Sequence, residues 1–479
     1  MSISTGTGRL PDFELLLGGR CMGAPETIPV INPATGSTLV DAPSASLAQL
    51  DAAVAAAGEA FATWKTTPFE RRRAVVDAIA DTIAGNAEEL ARLLTLETGK
   101  PLAAARLEVR STVDYFRYFT SLSMEPEILE DSETRRVELR RQPLGVVAAI
   151  IPWNFPLLLL AFKAPPALLA GNTVVIKPAV TTPLATLRLG RLVADLAPPG
   201  VFNVISGGDE LGPALTAHSG VRKISFTGST ATGRRVMASA ASHLTRITLE
   251  LGGNDAAIVL DDADVDAIAE PIFWSAFGNS GQVCRAIKRV YAHASVYERL
   301  CDRLGERALR TVVGNGMEEG VELGPVQNLQ QFARLQTLLD ECHAQGTVMP
   351  GGGALSGPGF FVRPTIVRDV PADARIVQEE QFGPILPILP FTDLEQAIAQ
   401  ANATAYGLAA SVWTRDMDRA SDIAARLEAG TVWVNKHIDR TPHLPIAGAK
   451  QSGVGVELGL AGLHEFTQTK IVNASRPSR

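Results

Sequence analysis

Beyond Pro143 the chain alternates short β-branched runs with helical stretches, and this alternation restricts its fold more than any other feature. Val146-Val147-Ala148-Ala149-Ile150-Ile151 leads into a helical stretch from about Leu157, and Thr173-Val174-Val175-Ile176-Lys177 follows. The next helix is expected to open with Thr182 as N-cap and Pro183 in its first turn, where a missing N–H costs nothing. Residues 201–205, 223–227 and 247–251 continue the series with helices between them. Such a pattern predicts a parallel sheet with helices on both faces, the architecture that holds ligands at the carboxyl ends of its strands. Residues 256–260 then begin a second α/β unit that runs to about residue 452.

Ahead of the sheet, residues 47–122 place apolar side chains at three- and four-residue spacing with charges between them, the pattern of a helical layer. Between the two regions, 132–142 (SETRRVELRRQ) alternates charged and apolar residues and carries four arginines, which suits an exposed two-stranded ribbon or a sheet edge. No repeat of fixed period and no low-complexity tract interrupts this organisation. With 46% hydrophobic and 20% charged residues in 479, the chain can bury large cores, which excludes a mostly disordered, collagen-like or coiled-coil polypeptide.

Charge and cysteines narrow the class further. The net charge of −7 gives no long-range attraction to polyphosphate, so nucleic acid is not an expected partner. Cys21, Cys284, Cys301 and Cys342 lie far apart, and neither a disulfide framework nor a zinc cluster is suggested; a reducing, cytoplasmic compartment fits. The seven histidines are scattered without metal-site spacing, and no metal is expected. Residues 1–19 lack the basic and apolar regions of a secretory signal. The uncharged run 144–162 is nearly long enough to cross a bilayer, but Pro152, Asn154 and Pro156 interrupt it, so it reads as strand, turn and helix rather than as a membrane span.

Several segments can carry chemistry. Phe226-Thr227-Gly228-Ser229-Thr230-Ala231-Thr232-Gly233 joins a strand to a helix whose free N–H groups can hold a phosphate. Arg234-Arg235 stand where a P-loop requires Lys-Ser/Thr, so an ATPase or kinase reading fails. Gly278-Asn279-Ser280-Gly281-Gln282-Val283-Cys284-Arg285 puts one thiol on a tight turn with Arg285 and Lys288 close behind, either an inert buried Cys or an electropositive setting that favours the thiolate. Glu250 ends an apolar strand beside two glycines and is either structurally paired or a general base of raised pKa. Asn154 lies between two prolines, as a turn residue or as an amide fixed to donate to an oxyanion.

Taken in order, these segments resemble the aldehyde dehydrogenase superfamily over nearly the whole chain. The resemblance rests on Asn32-Pro33-Ala34-Thr35-Gly36, Pro152-Trp153-Asn154-Phe155-Pro156, Gly171-Asn172-Thr173 through Lys177-Pro178, Phe226-Thr227-Gly228-Ser229 and Leu249-Glu250-Leu251-Gly252-Gly253. It continues through Gly281-Gln282-Val283-Cys284, Glu380-Gln381-Phe382-Gly383-Pro384, Gly430-Thr431-Val432-Trp433-Val434-Asn435 and Lys450-Gln451-Ser452-Gly453. It implies a Rossmann-like NAD(P)-binding domain (1–122 and 143–253), a second α/β catalytic domain (254–452), and an oligomerisation ribbon and tail (123–142 and 453–479). It further implies that Cys284 attacks an aldehyde, that Asn154 and the Cys284 N–H hold the oxyanion, and that Glu250 activates the water that releases the acid. Lys163 and Glu457 match a proton relay. For the cofactor, Lys177 would hold the adenosine ribose, Trp153 and Ser229 the pyrophosphate, and Glu380 with Phe382 the nicotinamide half. Ile151, Gly208, Gly228 and Leu251 complete the implied cofactor set.

Three departures from the family pattern are present. Val180 stands where a Glu often grips the ribose hydroxyls, so NADP is expected beside NAD. Pro445-Ile446-Ala447-Gly448-Ala449 and Val456 replace the usual surroundings of Glu457, and Asn254 replaces a frequent Lys. The intact Glu250 favours hydrolysis over transfer of the acyl group to coenzyme A, and the intact Cys284, Asn154 and Glu380 argue against a non-catalytic homologue. His437 and His443 are expected to line the substrate entrance, and the Phe162 and Phe277 rings incline the choice toward aliphatic or aromatic aldehydes over charged semialdehydes. A homodimer or homotetramer follows from the resemblance.

Overall fold

The structure is a computed structural model that describes residues 10–439 and 441–476, so the outermost residues of the first and last segments above lie outside it. Four helices, Leu47–Trp64, Phe69–Gly85, Ala87–Thr98 and Leu102–Thr120, form the layer expected from the periodicity of 47–122. The first is fixed at its start by a reciprocal cap, Ser46 accepting from the Gln49 N–H while the Gln49 side chain accepts from Ser46.

The first sheet has five parallel strands in the spatial order Phe202–Val204, Thr173–Lys177, Val146–Ile150, Val221–Thr227 and Arg246–Glu250. Its edges are antiparallel: Leu15–Leu17 pairs with Phe202–Val204, and Gly453–Val454 with Arg246–Glu250. Residues 453–454, assigned from the sequence to the tail, therefore belong to this sheet. The strand order reverses between Val146–Ile150 and Val221–Thr227, and a crevice opens at the carboxyl ends of strands flanking such a switch point. The loops leaving those two strands carry Trp153, Asn154, Gly228 and Ser229.

The expected start of the helix after Lys177 is corrected. It runs Leu184–Val193 with Pro183 at the cap position, and the Thr182 hydroxyl makes no cap bond. The buried Glu97 carboxylate takes that part, accepting the N–H groups of Leu184 at 2.7 Å and Ala185 at 3.0 Å. A fixed acceptor from another helix, favoured by the helix dipole, displaces the local hydroxyl.

The second sheet is parallel from Thr365–Arg368 through Ile385–Phe391, Ile287–His293, Asp255–Val259 and Ala409–Trp413 to Thr431–Val434, with the short Thr347–Val348 antiparallel at one edge. Only residues 251–254 separate the carboxyl end of Arg246–Glu250 from the amino end of Asp255–Val259. The carboxyl ends of one sheet thus face the amino ends of the other. The ribbon is three-stranded rather than two-stranded, because Thr467–Ser475 pairs along the whole of Arg135–Pro143, whose other side holds Glu127–Asp131. Arg135, Arg136 and Arg140 pair with Glu130, Asp131 and Glu138 within it. No helix among the described residues is long and apolar enough to cross a membrane.

Candidate active site

Cys284 lies on the approach to the strand Ile287–His293, after a turn in which Asn279, Ser280 and Gly281 all take left-handed backbone angles. Gly281 is required there, since a Cβ would sit 2.3 Å from the Gly383 carbonyl oxygen. Of the two settings the sequence allows for the half-buried thiol, the electropositive one that favours the thiolate is not found. Burial pushes its pKa up to about 11; Arg285 and Lys288 oppose this, while Glu250 and Asp255 reinforce it. The Lys288 ammonium is spent on the backbone, donating to the Val283 and Cys284 carbonyls at 2.6 and 3.2 Å. Desolvation therefore outweighs the two nearby cations.

The Asn154 amide is buried and donates to the Gln282 carbonyl at 2.9 Å, two residues before Cys284. An amide nitrogen carries two N–H groups, so one remains for a ligand oxygen. Its backbone carbonyl accepts from Lys100 Nζ at 2.8 Å. Lys100 forms a fully buried ion pair with Glu108, whose Oε1 accepts the N–H groups of Leu157 and Leu158 at 3.1 and 3.3 Å. This pair clamps the loop that carries Asn154. Its only sequence trace is Thr98-Gly99-Lys100-Pro101 in the helical layer, far from any motif considered above.

Glu250, at the end of its strand, is buried, and that burial together with the neighbouring Glu457 charge raises its carboxyl well above the usual range, against the pull of Arg285 and Lys163. Lys163 sits at the break between two six-residue helices, Pro156–Ala161 and Ala164–Leu169. Its ammonium bonds Thr227 Oγ1 at 2.7 Å and forms a short ion pair with Glu457. Ser225 Oγ reaches the same Glu457 oxygen at 3.1 Å. Despite the altered residues around it, Glu457 is held in place by paired backbone bonds to Ile446, at 2.7 and 2.9 Å.

Asn154, Glu250, Cys284 and Glu457 line one cavity of about 630 Å³ whose other walls are mainly apolar, Phe162 among them. Two expectations are corrected here. Phe277 is buried in the second domain's core, because it faces inward from the helix Val265–Phe277. His437 lies behind Cys284 rather than at the entrance, its ring nitrogens 2.9 Å from Ser411 Oγ and 3.0 Å from the Arg285 carbonyl, with Asp255 at 3.6 Å. Ile438 takes the lining position instead.

A second cleft, of about 740 Å³, meets the first at Cys284 and Asn154. Trp153, Gly228, Ser229, Leu251, Glu380 and Phe382 line it. Ser229 caps the helix Thr230–Ala241, accepting from Thr232 N at 3.2 Å, so a positive helix end faces the cleft. Glu380 accepts the Gly253 N–H at 3.1 Å, and burial raises its pKa. Phe382, at φ 48°, packs edge-on against Trp153. Arg334 and Gln331, which no sequence pattern singled out, hold this loop through the Glu380, Gln381 and Phe382 carbonyls.

Ile151, Lys177 and Gly208 are not part of that lining. Ile151 is buried and bonds the Lys177 carbonyl at 2.9 Å. Lys177 lies at the carboxyl end of its strand near Asp209; burial lowers its pKa, and among the described residues its ammonium has one long hydrogen bond, 3.4 Å to the Pro178 carbonyl. A buried cation so poorly satisfied, together with the helix end and the cleft, fits a dinucleotide with its ribose hydroxyls at Lys177 and its phosphates at Ser229.

The aldehyde dehydrogenase family model matches residues 21–472. The chain is 41% identical over 473 residues to a mitochondrial aldehyde dehydrogenase of Leishmania tarentolae, covering 97% of this chain and 95% of that one. It is 40% identical over 485 residues to the phenylacetaldehyde dehydrogenase of Pseudomonas fluorescens, covering 96% and 95%. Among solved structures, the NAD+ complex of an aldehyde dehydrogenase from Bacillus cereus superposes with a TM-score of 0.94 at 36% identity, covering 97% of each chain.

Proposed function

The chain belongs to the aldehyde dehydrogenase family, enzymes that oxidise aldehydes to carboxylic acids with a nicotinamide cofactor, and from that premise we propose how its own residues divide the work. Cys284 adds its sulfur, as the thiolate, to the aldehyde carbon, and the oxygen that becomes negative is held by the free N–H of Asn154 and by the Cys284 backbone N–H. Fixed donors of this kind act strongly because the cavity excludes bulk water. Trp153, Ser229, Glu380 and Phe382 would hold the dinucleotide in the second cleft, where its nicotinamide would supply the hydride acceptor that leaves Cys284 as a thioester. Glu250 takes a proton from the water that attacks this thioester, releasing the acid and restoring the thiol. Its raised pKa makes the carboxylate a stronger base toward that water. Lys163 and Glu457, in direct contact behind it, carry that proton away.

The observation that carries this reading is the convergence of Cys284, Asn154 and Glu250 on one cavity that joins the cofactor cleft. The test is incubation of the protein with an aldehyde and NAD or NADP, with and without coenzyme A. Reduced cofactor and free acid in equal amounts support it, and acyl-coenzyme A formation without acid refutes the hydrolytic step. The absence of a carboxylate at Val180 supports use of both cofactors. Residues 1–122 and 143–253 form the cofactor-binding part and 254–452 the catalytic part, and the ribbon with its C-terminal strand makes a dimer or dimer pair. Four free cysteines suit the cytoplasm.

A further inference from the structure

Around the catalytic cavity two ionisable side chains are paired with neighbours, whereas Glu250 Oε1 has no hydrogen-bond partner. Glu457 is paired with Lys163, and Asp439 with Lys436 and the Thr441 hydroxyl. Burial keeps Glu250 toward its neutral form. Arg285 is different. It follows Cys284 in the chain, it is half-buried, and it lines both the cavity and a smaller pocket of about 260 Å³ that opens beside it past Ile446. Among the described residues its guanidinium makes no hydrogen bond or ion pair, and its close contact is the face of the Trp433 ring, at 5.8 Å. Its backbone is fixed by His437 at the carbonyl. The charge is therefore held at the cavity wall without a hydrogen-bonded partner, within electrostatic reach of Glu250 and Cys284.

A guanidinium offers five N–H donors in a fork that matches a carboxylate, and partial burial without such a partner is costly. Apart from Asn154, Thr227, Glu250 and Glu457 beside Cys284, the cavity wall is largely apolar, with Phe155, Leu158, Leu159, Phe162 and Ile438. We propose that Arg285 sets specificity, and that the preferred substrate is an aldehyde with an apolar carbon frame and a carboxylate, which Arg285 binds while Cys284 captures the carbonyl. This rests on the aldehyde-oxidising reading of the site, and it reverses the inclination toward uncharged aldehydes drawn from the sequence. The product is a dicarboxylate.

Two substrate pairs test it: hexanal against adipic semialdehyde, and benzaldehyde against terephthalaldehydic acid. In each pair the acid should have the higher kcat/KM, on the order of 10- to 100-fold, as expected for a charge-assisted contact. Arg285→Leu should bring the ratio to about one, chiefly through KM for the acid, and Arg285→Lys should keep part of it. A wild-type ratio near one, or a ratio unchanged by Arg285→Leu, overturns the proposal and leaves the aldehyde reading intact. If no aldehyde yields reduced cofactor, the aldehyde reading fails instead. The proposal is then judged by protection of Cys284 from iodoacetamide: adipate must protect better than hexanoate, and Arg285→Leu must abolish the difference. Equal protection overturns it.

Discussion

His437 donates from Nε2 to the carbonyl oxygen of Arg285, 3.0 Å away, and so holds the backbone one residue beyond the Cys284 thiol. The direction of this bond follows from its neighbours. Trp413 Nε1 can only donate, and it lies 2.9 Å from Ser411 Oγ, so the Ser411 hydroxyl is directed at His437 Nδ1, also at 2.9 Å. With Nδ1 accepting and burial favouring the neutral ring, the proton resides on Nε2.

That tautomer predicts a split between two substitutions. His437→Gln keeps a donor near the Nε2 position and should retain kcat within about threefold, whereas His437→Leu should lose about tenfold in kcat with a smaller change in KM, the cost of one buried bond. Steady-state kinetics on both variants checks it. Equal loss in both would mean that His437 only fills space.

Because burial raises the Cys284 pKa to about 11, its thiolate is the minor form throughout the neutral range. Alkylation of the cofactor-free protein by iodoacetamide should therefore speed up about tenfold per pH unit up to about pH 10, without an earlier plateau. A plateau near neutrality would show an activated thiolate. Cys284→Ser should leave less than about a hundredth of wild-type turnover, a hydroxyl being a much poorer nucleophile without a dedicated base.

Glu250→Gln should separate the two halves of the reaction. The first turnover should still give a burst of reduced cofactor equal to the active sites, and later turnovers should slow by about 10²–10⁴-fold. In the wild type, kcat should rise with pH as the raised Glu250 carboxyl loses its proton. Lys163→Met, which removes a charge that lowers this pKa, should move that rise to higher pH. Rapid-mixing fluorescence and a pH profile measure both effects.

Cofactor choice should follow position 180. Wild-type kcat/KM with NADP should lie within about a thousandfold of that with NAD, and Val180→Glu should depress NADP use selectively by repelling the 2′-phosphate. Separate titrations of the two cofactors decide it.

The three-stranded ribbon presents Ile128, Leu129 and Ile471 to solvent within one chain. Size-exclusion chromatography should give a multiple of 50.8 kDa, and Ile471→Asp should shift it toward the single chain. A wild-type monomer would contradict the assignment.

What was legible in the sequence was local. Strand runs such as Val146–Ile150 and the strand-to-helix junction at 226–233 are decided by neighbouring residues, and they could be read directly. Side-chain partners from distant elements could not. Glu97 displacing Thr182 as the helix cap, Lys100 and Glu108 bracing Asn154, and Phe277 turning into the core all depend on contacts tens to hundreds of residues apart. The charge balance at Cys284 could not be decided for the same reason: Lys288 is near in sequence, but its ammonium is turned onto backbone carbonyls.

The four residues 251–254 joining the two sheets deserve a mechanical description. A Cβ on Gly252 would lie 2.4 Å from the Glu380 carboxylate, and one on Gly253 would lie 2.6 Å from the Cys284 carbonyl. The link is therefore a shim with no spare thickness, set between the half that carries Glu250 and the half that carries Cys284. Its gauge sets the separation of those two side chains, so even an alanine there would act as a wedge, felt in the cavity between them before it is felt in the stability of either half.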